Sequence, residues 1–478
     1  MRTLLITPSD HHQGFEYVYS GRENLGVEYL LSTLRAQGYE AESRNENIHD
    51  ASRELIDLCK YDLVGFSLPF WEYRDRYVTA INDVARKTDA PIIIGGHAST
   101  IGAKYFLNKC HRLLGVVMGE GEETLCDLAR CLETRGDPRA IAGIMTNESF
   151  LQRYNLIPLD DLSFPSRDEL RLSLMSETIV KEAQVESTRG CTYHCSFCSI
   201  PSYYKHAHGR QWRERSVENI CEELTKLIIE FPEVDLISFT DDNFLGFNSR
   251  YHDRAIRIAQ HIHDLKPELN FEIVCRVDSV NEDPFRKLAS LGLVGVYLGI
   301  ESGVQRILDS FRKNTTVEQN LRAIQILSDI GIGCDVGFIT FSPGITLSEF
   351  KQNLEFLNLI IKDYKIFVHP AAIFRCLREY PVDLGVSALS NDSTIETSRL
   401  RGPILALYEA LDALWHEKYE AEFIHHERIA VTQIDNSSLL DRQKDIASEM
   451  LQIAFILLSK AETHDKMSGR DLLADCIP

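Results

Sequence analysis

The sequence predicts an α/β chain in three parts: an N-terminal doubly wound parallel sheet, a partial (β/α)6 barrel of the TIM type, and a helical C-terminal region. Three observations predict it. Short apolar runs alternate with amphipathic stretches over residues 1–145, and again from Val185 to about residue 375. A break carrying Pro158, Asp160, Asp161 and Pro165 separates the two alternating regions. Beyond residue 380 the strand pattern gives way to helical periodicity over 401–425 and 438–462. Alternating strands and helices imply parallel pairing, because a parallel crossover needs a helix to carry the chain back. The expected boundaries are 1–145, a linker at 146–180, the barrel at 181–375 and a helical domain at 376–478.

In the first part, TLLIT (3–7) is a short buried strand, and 24–37 has the 3.6-residue period of a helix that stops at Gly38. DLVGFS (62–67) is the next strand and 73–87 the next helix. PIII (91–94) runs into Gly95-Gly96, and LLGVVM (113–118) runs into GEGEET, with a helix from about Glu123. Ligands of doubly wound sheets sit beyond the carboxyl ends of the strands. The loops at 8–24, 67–73, 95–100 and 119–123 are therefore expected along one edge. In the second part the strand candidates are VESTRG (185–190), VDLISFT (234–240), FEIVCR (271–276), VGVYLGI (294–300), CDVGFIT (334–340) and KIFVHP (365–370), with helical patterns such as 217–230 between them. That is fewer than the eight units of a closed barrel, so a partial barrel is expected, with its chemistry at the C-terminal strand ends.

Composition narrows the function. Of 478 residues, 44% are hydrophobic and 26% charged, which is ordinary globular composition. The net charge of −20 argues against nucleic acid as a partner. No apolar run is long enough to span a bilayer, and MRTLLITPSD lacks the apolar core of a secretion signal, so a cytoplasmic protein is expected. The twelve cysteines are scattered rather than framework-spaced, except for one trio.

That trio is Cys191, Cys195 and Cys198 in GCTYHCSFCS, directly after the first barrel strand. A structural zinc site wants four ligands, commonly in two separated pairs, and no downstream C-x2-C appears. Three thiolates on a short loop suit a 4Fe–4S cluster with one iron left open for a small molecule. The spacing C-x3-C-x-F-C after the first strand of a partial barrel resembles the radical S-adenosylmethionine enzymes. The resemblance implies that S-adenosylmethionine chelates the open iron and is cleaved by one electron to a 5′-deoxyadenosyl radical, which abstracts hydrogen from a substrate. It implies that Phe197 shields the cluster. It gives Thr240, Asp241 and Asp242 to the methionyl amine, Arg276 to the carboxylate and Glu301 to the ribose. The adenine would lie along the segment of Ile339 and Phe341. The reductant it implies is a flavodoxin or ferredoxin.

A doubly wound domain before such a barrel resembles the cobalamin-binding subfamily. GGHAST (Gly95, Gly96, His97) and GEGEET (Gly119, Glu120, Gly121) resemble its ligand loops, and DHHQG (10–14) is one residue short of its D-x-H-x-x-G. Cobalamin is thus a third candidate cofactor. Against it stand Phe70, Trp71, Tyr73 and Arg74 in a loop where small residues would suit a corrin face. These side chains either fill the corrin space, or fold outward or pack into the helix that follows, and the sequence leaves both readings open.

The fate of the substrate radical depends on that choice. Without cobalamin the expected reaction is dehydration of a sugar diol, resembling the aminoglycoside diol dehydratases, and the acidic balance would suit a cationic aminosugar. With cobalamin the alternative is C- or P-methylation. Tyr203, His206 and His208 are the candidate acid–base groups, since they follow the cluster loop and histidine titrates near neutrality. An iron–sulfur electron-transfer module is the non-enzyme alternative. It would need a fourth cysteine and no strand-end carboxylates.

Overall fold

The computed structural model describes residues 1–9, 22–48, 57–154, 156–175, 181–207, 210–364, 400–419, 437–463 and 468–473. The N-terminal sheet grows from its apolar runs. Strand β1 (Arg2–Thr7) pairs in parallel with β2 (Glu40–Asn45) on one side and β3 (Leu63–Ser67) on the other. Strands β4 (Ile92–Gly95) and β5 (Leu113–Val117) follow in parallel, and β6 (Ile144–Met145) closes the edge antiparallel to β5. The connecting helices are α1 (Leu25–Ala36), α2 (Arg74–Ala85), α3 (His97–Ile101), α4 (Ala103–Lys109) and α5 (Glu122–Glu133). Alternate residues of each strand feed two cores, as a sheet covered on both faces requires. Leu4, Ile6, Val64, Phe66 and Ile94 pack with α2, α3 and α4, while Leu5, Leu63, Ile93 and Val117 pack with α1 and α5. Helix α1 starts where Asn24 caps it, its side chain accepting from Val27 N at 3.3 Å.

Residues 146–175 are more than a linker. They carry Leu159 and Leu162, which pack on Leu25 and Tyr29, and α6 (Asp168–Leu174), whose Glu169 and Leu170 are buried. Arg167, itself buried, pairs with Glu23 at 2.6 Å and with Glu223 at 2.5 Å. The sequence shows no apolar periodicity here because the segment is buried by charge pairing as much as by hydrophobic contact.

The barrel sheet is parallel throughout. Its described strands are β7 (Glu182–Val185), β10 (Leu236–Phe239), β11 (Asn270–Arg276), β12 (Leu293–Glu301) and β13 (Gly333–Phe338), in that spatial order. Two short strands, β8 (Thr188–Gly190) and β9 (Trp212–Glu214), pair antiparallel beside it. The first expected strand at 185–190 is thus split: the ladder ends at Val185, and Thr188–Gly190 belongs to a separate ribbon. The sixth expected strand at 365–370 lies outside the described residues. The helices are α7 (Ser199–Ala207), α8 (Val217–Glu230), α9 (Arg250–Leu265), α10 (Glu282–Ala289), α11 (Gln305–Ser310), α12 (Val317–Ile330) and α13 (Leu347–Lys362). Capping boxes at Thr316 and Thr346 set the starts of α12 and α13.

The edge of β7 is sealed by the N-terminal domain: Gln184 N donates to Glu23 at 3.0 Å, and Arg22 pairs with Glu182 at 2.9 Å. In the C-terminal region, α14 (Gly402–Leu414) and the helix Ser437–Thr463 share the barrel's hydrophobic core through Leu407, Leu411, Met450 and Leu457. No helix among the described residues is long and apolar enough to cross a membrane.

Candidate active site

The loop holding the trio leaves β8 at Gly190, whose φ of +90° belongs to the left-handed region. A methyl group there would overlap the Gln211 carbonyl oxygen, so glycine is required by both conformation and space. Cys191, Cys195 and Cys198 are unpaired thiols on this loop, with Cys195 buried. They are near enough that each of Cys191 and Cys198 feels the charge of its neighbours, and burial pushes the Cys198 thiol up to about 12. Among the described residues no three His, Cys, Asp or Glu side chains stand close enough to hold a single metal ion. Two cations border the loop. Arg276 Nη1 lies 3.5 Å from Cys195 Sγ, and its guanidinium is held by Asp278 at 2.9 Å and by the Lys313 carbonyl at 2.6 Å. Lys313 is buried, 3.1 Å from Glu301 and 5.6 Å from the centroid of the Phe197 ring. Three thiolates on one loop with two buried cations beside them are a donor set that fits a 4Fe–4S cluster, whose charge those cations would partly balance.

The strand ends divide the expected S-adenosylmethionine contacts into two groups. Asp241 is spent on structure: it accepts from Ser187 N at 3.1 Å, Ser187 Oγ at 2.7 Å and Thr188 Oγ1 at 2.5 Å. Asp242 accepts from Gly190 N at 3.1 Å. Desolvation by the surrounding protein, with the charges of Glu186 and Asp241, raises its carboxyl to about 7. Thr240 is exposed beside it, its Oγ1 donating to the Val185 carbonyl at 3.5 Å. Glu301 ends β12 at φ +69°, a conformation unusual for a non-glycine residue, and its carbonyl accepts from Ile339 N at 2.8 Å. The Phe341 side chain is fully buried against Phe350 and Tyr408, so only the backbone of this segment is left to meet a ligand. Phe197 packs edge-to-face on Phe311 with centroids 5.2 Å apart.

The carboxyl edge of the N-terminal sheet meets the cluster loop from the other side. Gly95 and Gly96 turn β4 into α3, and Gly96, at φ +98°, lies against the Leu68 backbone. His97 Nε2 is 2.8 Å from Ser199 Oγ, and its ring stacks on Tyr203 with centroids 4.7 Å apart. Burial pushes that imidazole down to about 4. Gly119 lies under Ala207. Helix α7 therefore docks on the edge loops, with Tyr203 against His97. His206 is partly buried on the same helix, and His208 lies outside the described residues. Glu120 and Gly121 do not stand open either: Glu120 is bound by Arg189 at 2.9 Å and by Arg213.

Within the bulky loop at 67–76, Trp71 and Arg74 take the second of the two open readings. Trp71 is buried edge-on against Tyr105 and Phe106, beside Gly102 and under the Arg74 guanidinium at 5.1 Å. It fills the core between α2 and α4 and not the space above the strand ends. Ser67, at the end of β3, stays there with Thr7 and Asn24, whose Nδ2 reaches their hydroxyls at 3.2 and 3.0 Å. The glycine turns and small hydroxyls of this edge fit a corrinoid domain. Lys313, Arg189 and Glu186 were missed in the sequence. Lys313 stands in no motif, and an arginine before Gly-Cys looks like any surface cation until its partners are known.

Comparison with known proteins agrees with this geometry. Residues 185–357 match the Radical SAM superfamily, and residues 18–129 match the B12 binding domain. The chain is 27% identical over 381 residues to an uncharacterized methyltransferase of Pyrococcus horikoshii, covering 77% of this chain and 80% of that protein. It is 28% identical over 350 residues to the hopanoid C-3 methylase of Methylococcus capsulatus, covering 71% of this chain and 64% of that protein. Among solved structures it resembles the cobalamin-dependent S-adenosylmethionine radical enzyme OxsB with aqua-cobalamin and S-adenosylmethionine bound. There the TM-score is 0.75 at 18% identity, over 100% of this chain and 75% of that one. With the cysteine loop, the parallel partial barrel and the doubly wound domain before it, these matches show that the chain joins an N-terminal B12-binding domain to a Radical SAM domain.

Proposed function

We propose that this enzyme is a cobalamin-dependent methyltransferase acting on a small molecule. The observation that carries the reading is the packing of Trp71 into the α2–α4 core, which leaves the carboxyl edge of the N-terminal sheet to its small residues. That packing removes the reason for preferring cobalamin-free dehydration, and the two relatives named above are a methyltransferase and a methylase. In this reading Cys191, Cys195 and Cys198 hold the cluster, and Ser67, Gly95, Gly96 and Gly119 border the corrinoid. When bound, the cluster supplies the electron that cleaves S-adenosylmethionine, and cobalamin supplies the methyl group.

The chain's own residues bind and orient. Asp242 and Thr240 present acceptors to an ammonium, whose arrival offsets the repulsion between Asp242 and Glu186. Arg276 is braced by Asp278 beside Cys195 and would offer charge to the methionyl carboxylate. Glu301, which accepts from Lys313 at 3.1 Å, would accept from the ribose hydroxyls. Small-molecule substrates enter this reading as the class suited to a recess at a barrel mouth, and a flavodoxin or ferredoxin as the donor.

The test is anaerobic reconstitution with iron, sulfide and hydroxocobalamin, followed by desalting, a visible spectrum, and incubation with S-adenosylmethionine bearing a deuterated methyl group together with a low-potential chemical reductant, which takes the cobalt to the +1 state that can accept the methyl group. The expected result is an iron–sulfur band with stoichiometric corrinoid and labelled methylcobalamin by mass. A full cluster with no retained corrinoid overturns methyl transfer and returns dehydration to the front.

A further inference from the structure

The cluster loop is gripped from outside its own barrel. Arg189, buried two residues before Cys191, reaches three carboxylates at once. Its Nε donates to Glu186 of the barrel at 2.7 Å, and its Nη1 lies 2.9 Å from Glu120 and 2.8 Å from Glu122 of the N-terminal domain. The guanidinium also lies over the Tyr29 ring of α1 at 5.3 Å. Arg213 of β9, paired with β8 at Arg189, binds the same Glu120. At the far end of the loop, Ser199 meets His97. Both ends of the segment 191–198 are thus tied to the carboxyl edge of the other sheet.

We propose that Arg189 is a positioning residue that sets the cluster loop against the N-terminal ligand edge, through Glu120 and Glu122. A five-donor planar fork can satisfy carboxylates from two domains together, which a point charge on a flexible stem does less well. The strand it locks passes through Gly190 straight into Cys191, so little slack lies between the salt bridge and the first thiolate. This inference rests on the cluster assignment and is independent of cobalamin and of methyl transfer.

The experiment uses the full chain, reconstituted anaerobically without corrinoid: wild type, Arg189→Met, Arg189→Lys, Glu120→Gln with Glu122→Gln, and the triple variant Arg189→Met, Glu120→Gln, Glu122→Gln. Iron content, the reduction midpoint of the cluster and the electron paramagnetic resonance spectrum of the reduced form are measured. Positioning predicts that all bind about four irons per chain, as the cluster type requires. It predicts that R189M and the glutamine pair shift the midpoint in the same direction with the same change in spectrum, and that the triple variant goes no further. R189K, which keeps a cation and folds most readily, falls between. A plain charge effect predicts opposite signs, since losing a cation disfavours the reduced cluster and losing carboxylates favours it; that result overturns the proposal. So does a lowered melting temperature with an unmoved midpoint, which would make the contact merely structural. A wild type that builds no four-iron cluster fails the cluster assignment instead and is recognisable as such.

Discussion

Glu169 is fully buried in α6 with Glu28 nearby, and one of its carboxylate oxygens has no hydrogen-bond partner. The other accepts from Asn24 N at 2.7 Å and Asn45 Nδ2 at 2.9 Å. Burial, with the charge of Glu28, raises its carboxyl to about 8. A folded-state value raised above the ordinary one favours the protonated form, so its contribution is complete below about pH 4.5 and is lost as pH rises through about 8. Glu169→Gln mimics the neutral acid and keeps the acceptor. It is expected to stabilise the protein by roughly 1–2 kcal/mol at pH 8 and not at pH 4. Melting temperatures at the two values check this, and equal shifts at both would refute it. At this scale the sequence told least. Cys191, Cys195 and Cys198 stood out because their spacing itself suggests a chemistry. Glu169, Lys313 and Arg189 were not, because a charge reveals its use only through partners far along the chain.

The strands of both sheets were legible as elements where both faces are buried, since their residues are then apolar almost without interruption. β2 was not. EAESRN has no strand-like alternation, and it becomes a strand because β1 offers it a parallel edge in register from Arg2 with Glu40 to Thr7 with Asn45. Tertiary pairing overrides weak local preference at such edges. β8 was read as the end of one strand for a related reason: VESTRG is continuous in character, and nothing in it shows that the ladder ends at Val185 while Thr188–Gly190 pairs with β9 before the chain turns at Gly190. That turn gives a sharp expectation. Gly190→Ala places a methyl against the Gln211 carbonyl at a left-handed φ. It is expected to prevent β8 from pairing with β9 and to cost most of the bound iron, while α8 and α9 keep the far-ultraviolet helical signal close to wild type. Iron analysis beside circular dichroism checks it; a variant with full iron content would show that the loop tolerates another path.

Over the whole molecule, the three-part architecture was legible and its joints were not. The segment 146–180 reads as a spacer because prolines and acids dominate it, whereas Arg167 within it binds Glu23 of one domain, Glu223 of the other, and the Gln184 carbonyl at 2.7 Å. Arg167→Met would leave two buried carboxylates short of their counter-charge, at a cost of about 3–5 kcal/mol. Because that cost falls on the joint, calorimetry is expected to show the single transition separating into two, one for each sheet domain. A single transition at lower temperature would mean that the remaining contacts suffice to hold the halves together.

The edge of β7 gives this joint a meaning for inheritance. Glu23 completes the hydrogen bonding of Gln184 from another domain, so the barrel wall is finished by a residue that a boundary drawn at 145 would assign elsewhere. Shuffling between distant kin, in nature or at the bench, cannot treat the two halves as interchangeable cassettes. A graft that imports a foreign N-terminal half would have to bring along a matching 157–169 and a compatible first strand of the barrel. Descent should therefore have kept these halves together as one unit of exchange, even while the substrate-facing loops diverged.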